Sequence, residues 1–365
     1  MMIKRLSYCI FLICLWIGGM SVTAVLWSAC VTLTVTYIIL PLLYKTCPSF
    51  SRHLIFLNYV YCPWAYDFKH PSKKGLEGVD NFYLTVRPGV VLGVWHLLPM
   101  PLKSAPPTSE GRPHNPQQPG CCSHSDYYEN ELRDGRPIIV YLHGNTSCRA
   151  QPTRVGLYEV LRKMGFHVIT FDYRGYADSS RVSPSEAGLV EDALHVYAYV
   201  RRVVGGHAPV IIWGHSLGTG VSSHAVRQLC AQQQAPDALV LESPFNNIRD
   251  EVREHPLSAV FRKMPLFEWL FLEPLDQAGL RFTSDVHLEH VNVPVLILHA
   301  EDDLVVPFKL GRRLYDHAVK HRPDHFPTVR FMPFAARHGL GHKFIYQSPK
   351  LPDIFRQFLE DVSIL

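Results

Sequence analysis

The residue with the clearest chemical potential is Ser216, which stands in Gly214-His215-Ser216-Leu217-Gly218. An apolar run at 210–213 precedes this pentapeptide and a helical pattern follows it. That is G-x-S-x-G in a strand–turn–helix setting, where small residues permit a cramped turn that holds the serine hydroxyl clear of a sheet as a nucleophile. A serine needs a base to take its proton, and the base needs a carboxylate to orient it. On sheets that carry serine on such a turn, the acid and then the histidine come from later in the chain. Here the run at 295–298 leads into His299-Ala300-Glu301-Asp302-Asp303-Leu304-Val305-Val306-Pro307, in which Glu301, Asp302 and Asp303 compete. The run at 329–331 is followed by a loop holding His338 and His342. Gly341 gives His342 a small preceding neighbour, which favours it over His338 as the base. The other eighteen histidines carry no motif and read as surface or satisfied core groups.

Acyl transfer also needs N–H groups aimed at the charge that develops on the carbonyl oxygen. Leu217, directly after the nucleophile, supplies one. The second is expected from the loop after the run at 138–142, which begins His143-Gly144-Asn145. Asn145 is the expected donor, with Thr146 as the alternative. Asn145-Thr146-Ser147 is also an N-glycosylation sequon, and a sugar there would block the site, so active protein is expected to leave it bare. This chemistry requires no metal or cofactor. Nine cysteines without a C-x-x-C support neither a zinc site nor a disulfide scaffold.

The elements that must position these residues alternate along the chain. Strand-like segments lie at 82–86, 90–97, 138–142, 168–171, 210–213, 238–241, 295–298 and 329–331. Helical patterns fall at 155–164, 185–204, 217–232, 308–320 and 351–362. Uniformly apolar short strands between helices predict an α/β fold with a mostly parallel, doubly wound sheet covered on both faces. The proline-rich stretch 99–126 breaks this pattern and reads as a disordered insertion.

The first 45 residues predict a membrane anchor. From Leu6 to Tyr44 there are 39 residues without Lys, Arg, Asp, Glu or His. A crossing needs roughly 20 apolar residues, and a secretory signal has an apolar core of only about 7–15. Residues 21–43 form the better span; residues 6–17 fall short of one. Lys4 and Arg5 before the run and Lys45 and Arg52 after it barely favour a cytoplasmic N-terminus. An aromatic-rich linker, 46–78, joins the anchor to a catalytic region at 79–365. Within it, segment 246–290 carries Phe261, Met264, Leu266, Phe267, Trp269, Leu270, Phe271 and Leu272. So apolar an insertion predicts a helical lid over an acyl pocket. A net charge of +4 without long basic runs excludes a dedicated nucleic-acid binder. An anchor plus an apolar lid favours a lipid ester and a bilayer as partners; the alternative is a thioesterase that removes fatty acyl groups from protein cysteines. Serine at position 216, where epoxide hydrolases and dehalogenases need Asp, sets those reactions aside. With a nucleophile, acids and a base all present, nothing supports an inert membrane tether.

Five segments carry a more specific likeness: YLHGN (141–145), FDYRGYADS (171–179), WGHSLGTGV (213–221), LESPFNNIRDE (241–251) and LILHAEDDLVVPF (296–308). They resemble the α/β-hydrolase-fold serine lipases, most closely the membrane-anchored lysophosphatidylserine lipases, also described as monoacylglycerol lipases. D-x-x-V-P at Asp303–Pro307 resembles that family's acid turn and singles out Asp303. The resemblance implies an α/β-hydrolase fold and a triad of Ser216, Asp303 and His342. It also implies a single-pass endoplasmic-reticulum protein with a lumenal catalytic domain. The implied substrates are lysophosphatidylserine, with monoacylglycerols and oxidised phosphatidylserine as related esters.

Overall fold

A computed structural model describes residues 22–60, 66–101 and 124–365 and folds eight strands into one sheet. In spatial order these are β1 (Val79–Arg87), β2 (Val90–Leu97), β4 (His167–Phe171), β3 (Ile138–Leu142), β5 (Val210–His215), β6 (Ala238–Glu242), β7 (Val295–Ala300) and β8 (Val329–Phe334). β1 and β2 form an antiparallel edge, and all strands from β4 to β8 run parallel. Each predicted strand is present, some longer by up to three residues at one end.

The central strands lack polar alternation because helices cover both faces. Successive side chains of a strand point to opposite sides. Val140, Ile212, Leu241 and Ile297 enter one buried cluster, and their neighbours Ile139, Ile211, Val240 and Leu296 enter another. Helices Glu186–Val204, Leu217–Ala231 and Phe308–His321 pack on the first side, through residues such as Val196, Val221 and Leu310. Helices Pro152–Lys163 and Leu351–Asp361 cover the second, through Leu157, Leu161, Phe355 and Phe358. The parallel strands therefore all point their C-terminal ends to one edge, where open α/β sheets place their sites.

Residues Val22–Thr46 form one helix of 25 residues, long and apolar enough to cross a membrane. At ~1.5 Å per residue it would reach about 37 Å, against ~30 Å of hydrocarbon. A short helix, Pro48–Phe56, follows it. Residues 6–17, most of the proline-rich stretch and the linker residues 61–65 lie outside the described residues. Helix His124–Glu131 begins inside the stretch where only loop was expected. Segment 246–290 holds five short helices, Ile248–Glu254, Pro256–Val260, Glu268–Leu272, Glu273–Gln277 and Ser284–Leu288. Its apolar residues divide, with Phe267, Leu270 and Leu272 buried but Leu257, Leu266 and Trp269 exposed.

Candidate active site

β5 ends at His215, and the chain turns into the next helix through Ser216 at φ 54° and ψ −120°. That left-handed backbone is costly for a residue with a Cβ, and such strain persists only where surroundings enforce it. The surroundings do so through two glycines. A Cβ at Gly214 would lie 2.4 Å from the Gly218 carbonyl oxygen, and one at Gly218 would lie 2.1 Å from that of Leu142. Ser216 N–H donates to the Glu242 carbonyl at 3.0 Å, which fastens the turn to β6.

The candidate acid comes from the turn after β7. Asp303 is buried, and its Oδ1 accepts the backbone N–H groups of Val305 and Val306 at 2.8 and 2.9 Å. Its Oδ2 lies 2.8 Å from His342 Nδ1. A carboxylate facing Nδ1 places the ring hydrogen there and leaves Nε2 as the acceptor, as a base for serine requires. Burial pushes Asp303 up, but hydrogen bonds and positive charge from His299 and His342 outweigh it and hold the carboxyl well below the usual range. Asp303 stays ionised, ready to stabilise a cationic ring. Ser216 and His342 line the same cavity, although among the described residues no hydrogen bond joins the serine hydroxyl to the ring. Such contacts commonly tighten only once substrate is bound.

The competing candidates sit differently. His338 ends an exposed turn, Ala336–His338. Glu301 accepts the N–H of Ala336 and Asp302 that of Gly341, each at 3.1 Å. Both acids thus tie the histidine loop to the acid turn, a task their sequence position as plain turn residues did not reveal.

Around the second predicted oxyanion donor, the carbonyls are drawn away. Arg154 donates to the carbonyls of Gly144 (3.3 Å), Thr146 (2.5 Å) and Cys148 (2.7 Å), and the Tyr176 hydroxyl, which donates to Phe56 O at 2.6 Å, lies 3.3 Å from the carbonyl of Asn145. The N–H groups of Asn145 and Leu217 make no hydrogen bond among the described residues. The Asn145 side chain donates instead to Ile55 O at 3.2 Å. All five predicted site residues, Ser216, Asp303, His342, Leu217 and Asn145, gather at the C-terminal edge of the sheet; four line the cavity, and Asp303 stands behind His342.

That cavity is about 410 Å³. Part of its lining is apolar, with Tyr44, Leu54, Phe261, Phe267 and Phe271 from the N-terminal helices and segment 246–290. The same lining includes Arg154 and Lys343, neither with a carboxylate partner among the described residues. Burial, then the nearby Arg154 charge, lowers the Lys343 pKa.

Sequence reasoning missed several residues here. His299 Nε2 lies 3.4 Å from Asp303 Oδ2, and His215 Nε2 lies 2.9 Å from the His342 carbonyl oxygen, so these two are not idle core groups. The position of His299 four residues before Asp303 was the available signal. Glu242 and Glu251 are buried carboxyls on the cavity, pushed up by burial to about 7 and about 8. Arg154 and Lys343 had no local signal.

The α/β hydrolase fold family matches residues 137–270. The chain is 45% identical over 323 residues to lysophosphatidylserine lipase ABHD12 of Danio rerio, covering 88% of this chain and 80% of that one. It is 46% identical to the Rattus norvegicus protein of the same name, covering 88% and 77%. Protein ABHD12B of Homo sapiens is 38% identical over 308 residues, covering 84% and 79%. Among solved structures, the Pyrococcus furiosus esterase Pf2001 superposes with a TM-score of 0.54 at 16% identity, covering 80% of this chain and 93% of that one. Est1E from Butyrivibrio proteoclasticus gives 0.51 at 14% identity, covering 78% and 99%. At those identities the two structures speak for the fold alone.

Proposed function

This chain belongs to the lysophosphatidylserine lipase family of α/β-hydrolase-fold proteins, and on that premise we propose that it is a membrane-anchored serine hydrolase that cleaves the acyl ester of lysophospholipids. Ser216 attacks the ester carbonyl while His342 Nε2 takes its proton and Asp303 stabilises the resulting cation. The oxyanion meets the N–H groups of Leu217 and Asn145. The lysolipid headgroup departs with the proton from His342, leaving an acyl-serine. Water, deprotonated by the same histidine, then releases the fatty acid and restores Ser216.

One observation carries the choice of substrate. The cavity around Ser216 is lined both by apolar side chains and by two cations, Arg154 and Lys343, that have no carboxylate partner among the described residues. An acyl chain suits the apolar lining and an anionic phosphodiester headgroup the cations. Lysophosphatidylserine satisfies both; monoacylglycerols and oxidised phosphatidylserine are related esters that use the apolar lining. Segment 246–290 serves as the lid. The helix Val22–Thr46 is the anchor, single-pass in the endoplasmic-reticulum membrane, with the catalytic domain in the lumen.

Purified full-length protein in micelles tests this with a panel of lysophosphatidylserine, monoacylglycerol and an S-acylated peptide. Lysophosphatidylserine should turn over fastest, and Lys343→Met should slow it about tenfold while leaving monoacylglycerol within about twofold, as for loss of one charge-assisted contact. Faster cleavage of the S-acylated peptide would replace the reading with a protein thioesterase. Protease treatment of sealed microsomes tests topology: the domain around Ser216 should survive until detergent is added.

A further inference from the structure

We propose that the lid is itself immersed in the membrane, and that the acyl pocket opens sideways into the leaflet rather than into water. This rests on reading Val22–Thr46 as the membrane span. The lid lies directly against that helix. The Tyr37 and Phe261 rings are 6.0 Å apart, and those of Tyr44 and Phe271 are 5.4 Å apart. Lys45 Nζ lies 2.9 Å from Glu273 Oε2 and 4.8 Å from the Trp269 ring centre.

These contacts fix a depth. Lys45 is the first charged residue after Arg5, and with Trp269 beside it this level has the composition of a membrane–water boundary. Tyr37 stands eight residues earlier, roughly 12 Å deeper at ~1.5 Å per residue. The flank of the helix at that height is open and apolar: Ile38, Ile39, Leu42 and Leu43 are each 40–54% exposed. Only lipid can cover that flank, so hydrocarbon reaches the height of Tyr37, and Phe261, which touches it, lies at the same level.

The lid's outer surface fits that placement. Leu257 is 78% exposed, Val260 56% and Leu266 66%. Leu266 also holds φ 66°, a conformation that suits glycine or asparagine in a water-exposed turn, so a solvated leucine there would gain nothing. Arg262 pairs with Glu254 at 3.4 Å, and Lys263 beside it has a flexible stem that can carry its charge up toward the headgroups. The pocket mouth is set in this same surface, because Leu54 and Leu257 both line the cavity and are exposed. A lipid tail can pass from the leaflet to Ser216 without crossing water.

The test uses full-length protein in phosphatidylcholine–phosphatidylserine vesicles. An environment-sensitive fluorescent amino acid at position 260 should emit as in an apolar medium and be quenched by lipids brominated on the acyl chain. The same label at position 316, on the helix Phe308–His321, should not be quenched. A water-like, unquenched signal at 260 overturns the proposal. In a second arm, Val260→Glu with Leu266→Asp should lower hydrolysis of vesicle-borne lysophosphatidylserine at least tenfold, while p-nitrophenyl butyrate in detergent stays within twofold of wild type. Equal loss on both substrates, or none on either, overturns it. Should wild-type protein leave lysophosphatidylserine intact, the proposed substrate falls, and the fluorescent label still reports where the lid lies.

Discussion

The two walls of the cavity are built by opposite means. The catalytic wall is backbone: strand ends, the Ser216 N–H on β6, the Asp303 carboxylate on two amides, and glycines in contact with carbonyls. The lid wall is side chain: tilted rings among Phe261, Phe267 and Phe271, and ion pairs such as Lys45–Glu273 and Arg249–Glu268 at the surface. Backbone hydrogen bonds and steric exclusion leave one arrangement, whereas ring contacts and exposed pairs each contribute little and re-form easily. The residues around Ser216 are thus held by many mutually exclusive constraints, and the 246–290 wall by contacts that can be exchanged one at a time.

The contrast breaks most visibly at its rigid end. Ser216→Ala should abolish labelling by a fluorophosphonate probe and lower hydrolysis about 10³-fold or more. Near-normal turnover in a folded variant would remove the catalytic wall from the comparison altogether.

Neighbours within that wall sharpen it next. His342→Ala should cost far more activity than His338→Ala, since of the two only His342 faces Asp303. Asp303→Asn should likewise exceed Asp302→Asn, whose single bond to Gly341 N affects only the loop. Steady-state rates on one lysolipid decide both pairs, and a reversed order would move the base or the acid.

Where the walls meet, Glu251 gives a pH signature. Burial raises its pKa from 4.5 to about 8, with the Asp303 charge adding to the rise. Between those values the folded protein keeps a proton that the unfolded chain has released. Stability from this group is therefore fully present below about pH 4.5 and falls as pH rises from there toward 8. In Glu251→Gln that slope should shrink, so the Tm of the variant should gain on wild type as pH rises from 5 to 8. A constant difference across that range would mean the carboxyl is solvated and already charged.

The smallest effect belongs to the lid. Lys45→Ala or Glu273→Gln removes one partly exposed pair and should cost less than about 1 kcal/mol. Thermal unfolding in detergent should shift by no more than a few degrees. A larger loss would mean the lid wall is as rigid as the catalytic one.

The catalytic wall was also the more legible in sequence. Its strands are buried on both faces, so unbroken apolar runs marked them, and its nucleophile sits in a five-residue pattern set by local sterics. Asp303 emerged by likeness rather than spacing, because Glu301 and Asp302 offer the same chemistry in one turn. Arg154 stayed hidden since its partners are backbone carbonyls, which have no sequence signature. Glu251 reads as an ordinary polar helix residue until the fold buries it. Segment 246–290 stood out as an apolar insertion, but its contact with Tyr37 joins residues more than two hundred apart, and no periodicity reports such a pairing.

Asn145 shows what a crowded catalytic loop asks of biosynthesis. Its Nδ2, the atom a glycan would occupy, donates to Ile55 O and sits at the cavity beside Ser216. Once folded, the Asn145-Thr146-Ser147 sequon offers no nitrogen to a transferase. With the catalytic domain in the lumen, as proposed above, the sequon is readable only while the chain is still emerging, so glycosylation and folding compete for one side chain. Ile55 lies ninety residues upstream and is made first. The partner that closes the sequon has therefore been made by the time Asn145 emerges, and only the folding of the two segments onto each other remains before the nitrogen is taken.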